Sequence, residues 1–154
     1  MLMGTNGHTI LSEDYVSFEV AKLLKEKGFD EKVSTHYLIH PSGFPEFFDK
    51  KDEFTEPGDV WLKCPTLQMA MKWLREVHNI DIEVHADVGM LGVKVYTPFI
   101  SRYKSSTEYP SKLRQYKNGL YFEDDRGVIP GIRHFETYKE AVEAALKYSL
   151  ENLI

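Results

Sequence analysis

Between Pro65 and Phe99 the spacing of apolar residues changes from a helical period to a strand period across one residue, Asn79, and nothing else in the chain constrains the fold as much. On a wheel of about 100° per residue, Leu67, Ala70, Met71, Trp73, Leu74, Val77 and His78 share one arc, while Gln68, Lys72, Arg75 and Glu76 fall outside it. A stripe of that width is what a helix needs to lie on a sheet. Pro65 suits the first turn because its missing N–H would have had no intrahelical partner, and Thr66 or Cys64 can cap. Asn79 tolerates the left-handed conformation that stops a helix, so the helix ends near His78, a residue placed as a cation against the helix dipole.

From Ile80 onward Ile80, Ile82, Val84, Ala86 and Val88 alternate with Asp81, Glu83, His85 and Asp87, the pattern of a half-buried antiparallel strand with one oily and one acidic face. If Gly89-Met-Leu-Gly92 is the whole turn, Val88 pairs with Val93, Ala86 with Val95 and Ile82 with Phe99 on the buried face. Asp87 then lies opposite Lys94, and His85 opposite Tyr96, on the exposed face.

The rest of the chain supplies two more helices. Ser12 followed by Glu13 and Asp14 reads as a cap, with a helix running to Lys27 on an inner stripe of Val16, Val20, Leu23 and Leu24; Gly28-Phe29 closes it as a Schellman stop. Phe18 lies on the opposite side of that wheel, as an ordinary surface residue or a contact to a loop or partner. Thr137-Tyr-Lys-Glu140 is a capping box, and Tyr138, Ala141, Val142, Ala145, Leu146, Ser149, Leu150 and Leu153 then share one side of a helix to the end of the sequence. Ala141, Ala145 and Ser149 form a line small enough for close approach to a sheet.

Thr35–His40 and Val60–Lys63 read as short strands, and the loop between them carries Phe44, Phe47, Phe48 and Phe54, which argue that it packs on the body. Gly119–Glu123 makes a third strand after the hairpin, turned by Asp124–Gly127, and Val128–His134 an edge strand broken by Pro130-Gly131. The expectation is an α+β fold, a mostly antiparallel sheet of about four to six strands packed by three helices. The order is α-β-β-α-β-β-β-α, in one domain over residues 12–154 with residues 1–11 disordered.

A chain of 154 residues buries roughly two thirds of its unfolded surface and needs no staple. Its single cysteine, Cys64, excludes an internal disulfide and a thiolate zinc site, and with no basic segment leading an apolar run the chain reads as cytoplasmic, away from any membrane. Net charge is −5, which argues against polyanion binding by the whole protein. The charge is uneven: between Ser101 and Asn118 the cations Arg102, Lys104, Lys112, Arg114 and Lys117 face Glu108 alone, interleaved with Tyr103, Tyr109 and Tyr116. Cations beside rings are what a single-stranded nucleic acid requires, so these eight residues are the candidate nucleic-acid-binding set; the competing reading is a soluble hairpin loop.

Catalytic readings are weaker. His36 and His40, four apart on a strand, face the same way about 13 Å apart, too far to share an ion. Glu83, His85 and Asp87 share a strand face, as any solvated face does. Cys64 sits where a helix begins, which lowers a thiol pKa and makes it the candidate reactive thiol, against the reading of a small buried cap. No Walker loop, GxGxxG, GxSxG, HExxH or paired CxxC occurs, and neither a metal nor a cofactor is expected.

Ser17-Phe-Glu-Val-Ala-Lys-Leu-Leu-Lys-Glu-Lys-Gly-Phe-Asp-Glu31, Cys64-Pro-Thr with Trp73-Leu-Arg-Glu-Val-His78, and Thr137-Tyr-Lys-Glu-Ala-Val-Glu-Ala-Ala-Leu146 resemble short uncharacterised proteins of intestinal anaerobic bacteria and their phages or integrated elements. That resemblance implies a mobile-element setting and no site residues. Tyr121-Phe-Glu-Asp-Asp-Arg-Gly and Pro130-Gly131 leading into the Thr137-x-x-Glu-Ala helix look like the strand-to-helix passage of HicB-type antitoxins, which implies the partner of a small toxin. The α-β-β-β-α order from Thr66 to Leu153 is similar to double-stranded-RNA-binding domains, without the lysine cluster those place on phosphates. The expected function is a non-enzymatic accessory module binding a partner protein through its acidic surface or exposed aromatics.

Overall fold

The computed structural model describes residues 2–3, 9–10, 14–41, 43–49, 57–89, 91–102, 123–124, 127–128 and 135–154. Their order is β1 (Leu2–Met3), β2 (Thr9–Ile10), α1 (Phe18–Glu26), β3 (His36–Ile39), β4 (Glu46–Phe48), β5 (Val60–Lys63), α2 (Leu67–His78), β6 (Ile80–Val88), β7 (Lys94–Arg102), β8 (Glu123–Asp124), β9 (Gly127–Val128) and α3 (Tyr138–Asn152). The chain is α+β, with three helices among the described residues and every strand pair antiparallel. The main sheets are β4-β3-β5 and the hairpin β6-β7. No helix is long and apolar enough to cross a membrane, among the described residues.

Each helix boundary has a local cause. Thr66, not Cys64, caps α2: its hydroxyl accepts from Met69 N–H at 3.2 Å, and Asn79 ends the helix in the left-handed region at φ 56°. Thr137 and Glu140 form the reciprocal capping box of α3. The Schellman stop of α1 is present, with Gly28 at φ 89°, Gly28 N–H donating to Lys25 C=O and Phe29 N–H to Leu24 C=O. The start of α1 differs from expectation. Ser17, not Ser12, is its N-cap, because residues 14–16 are held extended: Val16 N–H donates to Pro65 C=O (3.1 Å) and Leu67 N–H to Asp14 C=O (2.9 Å). That two-bond stitch joins the entries of α1 and α2, and a chain so engaged cannot coil. Ser12 itself lies outside the described residues.

One apolar cluster connects the parts: Val16, Val20, Ala21, Leu24 and Phe29 from the α1 region, Leu62 and Cys64 from β5 and its exit, Leu67, Ala70, Met71, Trp73 and Leu74 from α2, Ile80, Ile82 and Ile100 from the hairpin, and Ala141, Val142, Ala145, Leu146 and Leu150 from α3. The small line Ala141, Ala145 and Ser149 is fully buried where α3 packs on β6 and β7. α1 and α3 lie side by side, tied by Lys147 to Glu19 at 2.7 Å and by Lys27 to the Ile154 carbonyl at 3.0 Å. Phe18 is not loose on the surface; it packs edge-on against Tyr37 at 5.5 Å.

Val77, the phenylalanine loop and the segment after the hairpin meet expectation only in part. Val77, placed on the inner arc of α2, is 56% exposed, while His78 beside it turns in against Trp73. The phenylalanine loop contains a strand, β4, in which Phe47 contacts Tyr15 (5.0 Å) and Tyr37 (5.9 Å) and Phe48 contacts Trp61 (5.6 Å). Its tip Phe44 is 91% exposed, and Phe54 lies outside the described residues. Beyond the hairpin, Glu123 pairs with Val128 and Asp124 with Gly127, so the expected strand ends at 123 and 128 do pair, with the chain reversing over 124–127; residues 119–122 and 129–134 lie outside the described residues.

Candidate interaction surface

The hairpin β6-β7 pairs one residue out of the expected register. Val88 faces Lys94, Ala86 faces Tyr96, Val84 faces Pro98 and Ile82 faces Ile100. The closing pair is Gly89 with Val93: Gly89 N–H donates to Val93 C=O at 2.8 Å, Gly92 N–H donates to Gly89 C=O at 2.9 Å, and Gly92 takes φ 74°, open to glycine at little cost. The loop is therefore 90–92, three residues rather than four. A one-residue slip moves a whole strand to its other face. Hence Tyr96, Pro98 and Ile100 face inward, and Val95, Thr97 and Phe99 share the solvated face with Glu83, His85 and Asp87.

That face is loosely assembled. His85 Nε2 lies 3.4 Å from Glu83 Oε2, both side chains are well exposed, and the ring of Phe99 packs 4.4 Å from the imidazole. On the opposite face Lys94 reaches over the Tyr96 ring at 5.2 Å. Asp81 pairs with Arg75 of α2 at 3.6 Å, and Asp87 bonds the N–H of Val88 at 2.7 Å.

Burial changes sharply along the hairpin. Ile80, Ile82, Pro98 and Ile100 at its base are buried, whereas Val88 (69% exposed), Leu91 (93%) and Val93 (59%) at its far end stand in solvent although they are as apolar as the base. α3 covers only the base. The arm is thus an apolar tip on an acidic stem, and its outer β7 edge is engaged by Phe135, whose N–H and C=O both bond Tyr96 (3.0 and 2.8 Å).

A second polar cluster was missed in the sequence. Glu143 on α3 accepts from Ser17 N–H at 2.6 Å and from the Ser17 hydroxyl at 2.8 Å, while that hydroxyl accepts from Val20 N–H at 3.3 Å. Burial raises the Glu143 pKa against the opposing pull of the Ser17 bonds. Beside it the Tyr37 hydroxyl donates to Val16 C=O at 2.9 Å and is raised by burial, and the Cys64 thiol, 3.5 Å from the same carbonyl, is fully buried and pushed up to about 11 by burial. A thiol in that state is protonated at neutral pH and lies under the helix entries rather than in an opening. A depression of about 720 Å³ lined by Ser17, Phe135, Thr137, Lys139, Glu140 and Glu143 flanks the cluster and is broadly open. The cluster clamps α3 onto the N-terminus of α1, where a carboxylate meets the positive end of a helix.

The histidines are dispersed. His36 is buried, its Nδ1–H donating to Ser34 C=O at 3.0 Å, and stands edge-on to Trp61. His40 lies past the end of β3 and bonds Asp59 at 2.7 Å, so the two do not act as a pair. His78 packs on Trp73 at 4.6 Å, and burial lowers its pKa, so it is a neutral packing residue and not the dipole-stabilising cation expected. Among the described residues no group of three His, Cys, Asp or Glu side chains is placed to hold a metal ion. Arg102 ends β7 exposed and opposite Ile80; Tyr103, Lys104, Tyr109, Lys112, Arg114, Tyr116 and Lys117 lie outside the described residues. The chain matches no protein-family model, no curated protein and no solved structure.

Proposed function

We propose that this is a non-enzymatic accessory protein that docks a partner protein through the β6-β7 arm. The observation that carries the reading is the uncovered apolar end of the hairpin, Val88, Leu91 and Val93, on a body with one buried apolar cluster. Exposed apolar residues grouped at one place and rimmed by charge mark interaction surfaces more often than chance exposure does. Asp87 and Lys94 border that end, and the acid Glu83 and the ring of Phe99 lie further down the stem. A phage or mobile-element setting rests on the sequence resemblance alone, as does the toxin-partner alternative.

The reading is tested by placing a photo-crosslinking benzoylphenylalanine at Leu91 or, as control, at Gln68, which is exposed on α2. In the native host the Leu91 probe is expected to give one discrete protein adduct that the Gln68 probe does not give, and that disappears when Val88 and Val93 are changed to serine. Identical adducts from both positions would contradict it.

A further inference from the structure

Among the described residues, the arm has one engaged edge and one open edge. In an antiparallel ladder, residues alternate between pointing both backbone groups at the partner strand and pointing both away. The Gly89–Val93 closing bond and the outward bonds of Tyr96 to Phe135 set the phase: Asp81, Glu83, His85 and Asp87 bond β7, while Ile82, Val84 and Ala86 direct N–H and C=O outward from β6. Pro98 obeys the same phase, since its missing N–H would point away from β6. Among the described residues nothing pairs with the outer edge of β6. The Asp87 carboxylate occupies the N–H of Val88, so the open stretch ends at Ala86.

Resting on the docking reading above, we propose that this open edge, Ile82 to Ala86, receives an extended protein segment carrying basic residues at alternate positions, which adds as a strand beside β6. Strand addition supplies main-chain hydrogen bonds, and side-chain pairing supplies selectivity. The residues flanking the open groups, Asp81, Glu83 and Asp87, are acids on one face, and cations on the added strand would lie opposite or diagonal to them. A second copy of this chain is a poor occupant. In antiparallel self-pairing, every register that sets Val84 against Ile82, Val84 or Ala86 puts an acid against an acid: Glu83 on Glu83, Asp81 on Asp87, or Glu83 on Asp87. Those pairs are also the close, non-hydrogen-bonded ones, where like charge costs most.

The test is residue-resolved amide hydrogen exchange on the full chain, alone and with a synthetic peptide in which lysine alternates with valine and threonine, beside a counterpart with glutamate for lysine. In the free chain the amides of Glu83, His85 and Asp87 are expected to be protected and those of Ile82, Val84 and Ala86 to exchange fast. The lysine peptide should slow Ile82, Val84 and Ala86 by about tenfold or more, and the glutamate peptide should not. Ala86→Pro removes one outward N–H in the manner Pro98 already shows and should abolish the effect with an unchanged melt; Ala86→Thr, which keeps the N–H, should retain it. Glu83→Lys should transfer the protection to the glutamate peptide. Protection of Ile82, Val84 and Ala86 in the free chain, equal protection by both peptides, or none by either would overturn the proposal. If the Leu91 probe still captures a discrete partner while the lysine peptide leaves the edge unprotected, this inference fails and the docking reading stands; loss of both removes both.

Discussion

The two ends of the β6-β7 hairpin are written in the same code and behave differently. Ile80 and Ile82 at the base are buried under α2 and α3, while Ala86 and Val88, which continue the same alternation on the same strand face, are exposed. Alternation tells which residues share a face; whether anything covers that face depends on how far the neighbouring helices reach. Here α3 ends its cover near Tyr96 and Tyr138, whose rings stand 6.3 Å apart, and beyond that point no described element lies over the hairpin. Two strands without a third layer contribute little stability of their own, so the outer half persists because the inner half anchors it.

The largest effect that separates the halves should come from the helix that covers the base. Leu74 is fully buried at the centre of the cluster, and Leu74→Ala should cost roughly 2 to 5 kcal/mol in a denaturant melt. Lys72→Ala on the exposed side of the same helix should cost next to nothing, and equal losses would show that the wrong face of α2 has been assigned to the core. Next, Ala145→Leu should cost about 1 to 3 kcal/mol by pushing α3 off the hairpin base; if the melt is unchanged, α3 does not bear on the base and the contrast between the halves loses its cause.

Glu143 sharpens the comparison through pH. A carboxyl whose folded pKa is raised holds its proton better in the folded state, so stability is fully present below the ordinary value near 4.5 and falls as pH rises to the raised folded value, above which it levels off. That decline should be visible in melts across the window and vanish in Glu143→Gln. A profile in which the wild-type chain gains stability through the same window would reverse the sign assigned here. Cys64 should label slowly with a thiol reagent at neutral pH in the native chain and quickly after unfolding, because burial holds the thiol protonated; fast native labelling would reopen a reactive-thiol role. The smallest effect belongs to the tip, where Leu91→Ser should change stability by no more than about 0.5 kcal/mol.

Much of this architecture was legible wherever the cause is local. Thr66 and Asn79 mark the ends of α2, Thr137 and Glu140 the start of α3, and Gly28 with Phe29 the stop of α1, because caps are made by residues a few positions apart. What was not legible depends on distant chain. Ser12 reads as the cap of α1, but the bonds of Val16 to Pro65 and of Leu67 to Asp14 hold residues 14–16 extended and leave the cap to Ser17. The hairpin register turned on one residue of loop length, which Gly89 and Gly92 permit either way. Glu143 belongs to no pattern the sequence displays and is a half-buried clamp on Ser17, a partner 126 positions away. For the candidate surface, the acidic face of β6 could be read from alternation, but the open edge and bare tip could not, since nothing in the sequence says where α3 stops covering the strand.

The contrast within the hairpin is tested most directly by a pair of melts on one strand. Ile80→Ala and Val88→Ala occupy the same face of β6, one fully buried and the other 69% exposed. The expected loss is about 2 to 5 kcal/mol for Ile80→Ala and under about 0.5 kcal/mol for Val88→Ala. Comparable losses at the two positions would mean that the far end of the hairpin is covered in the folded chain, and would contradict the assignment of that end as a docking surface.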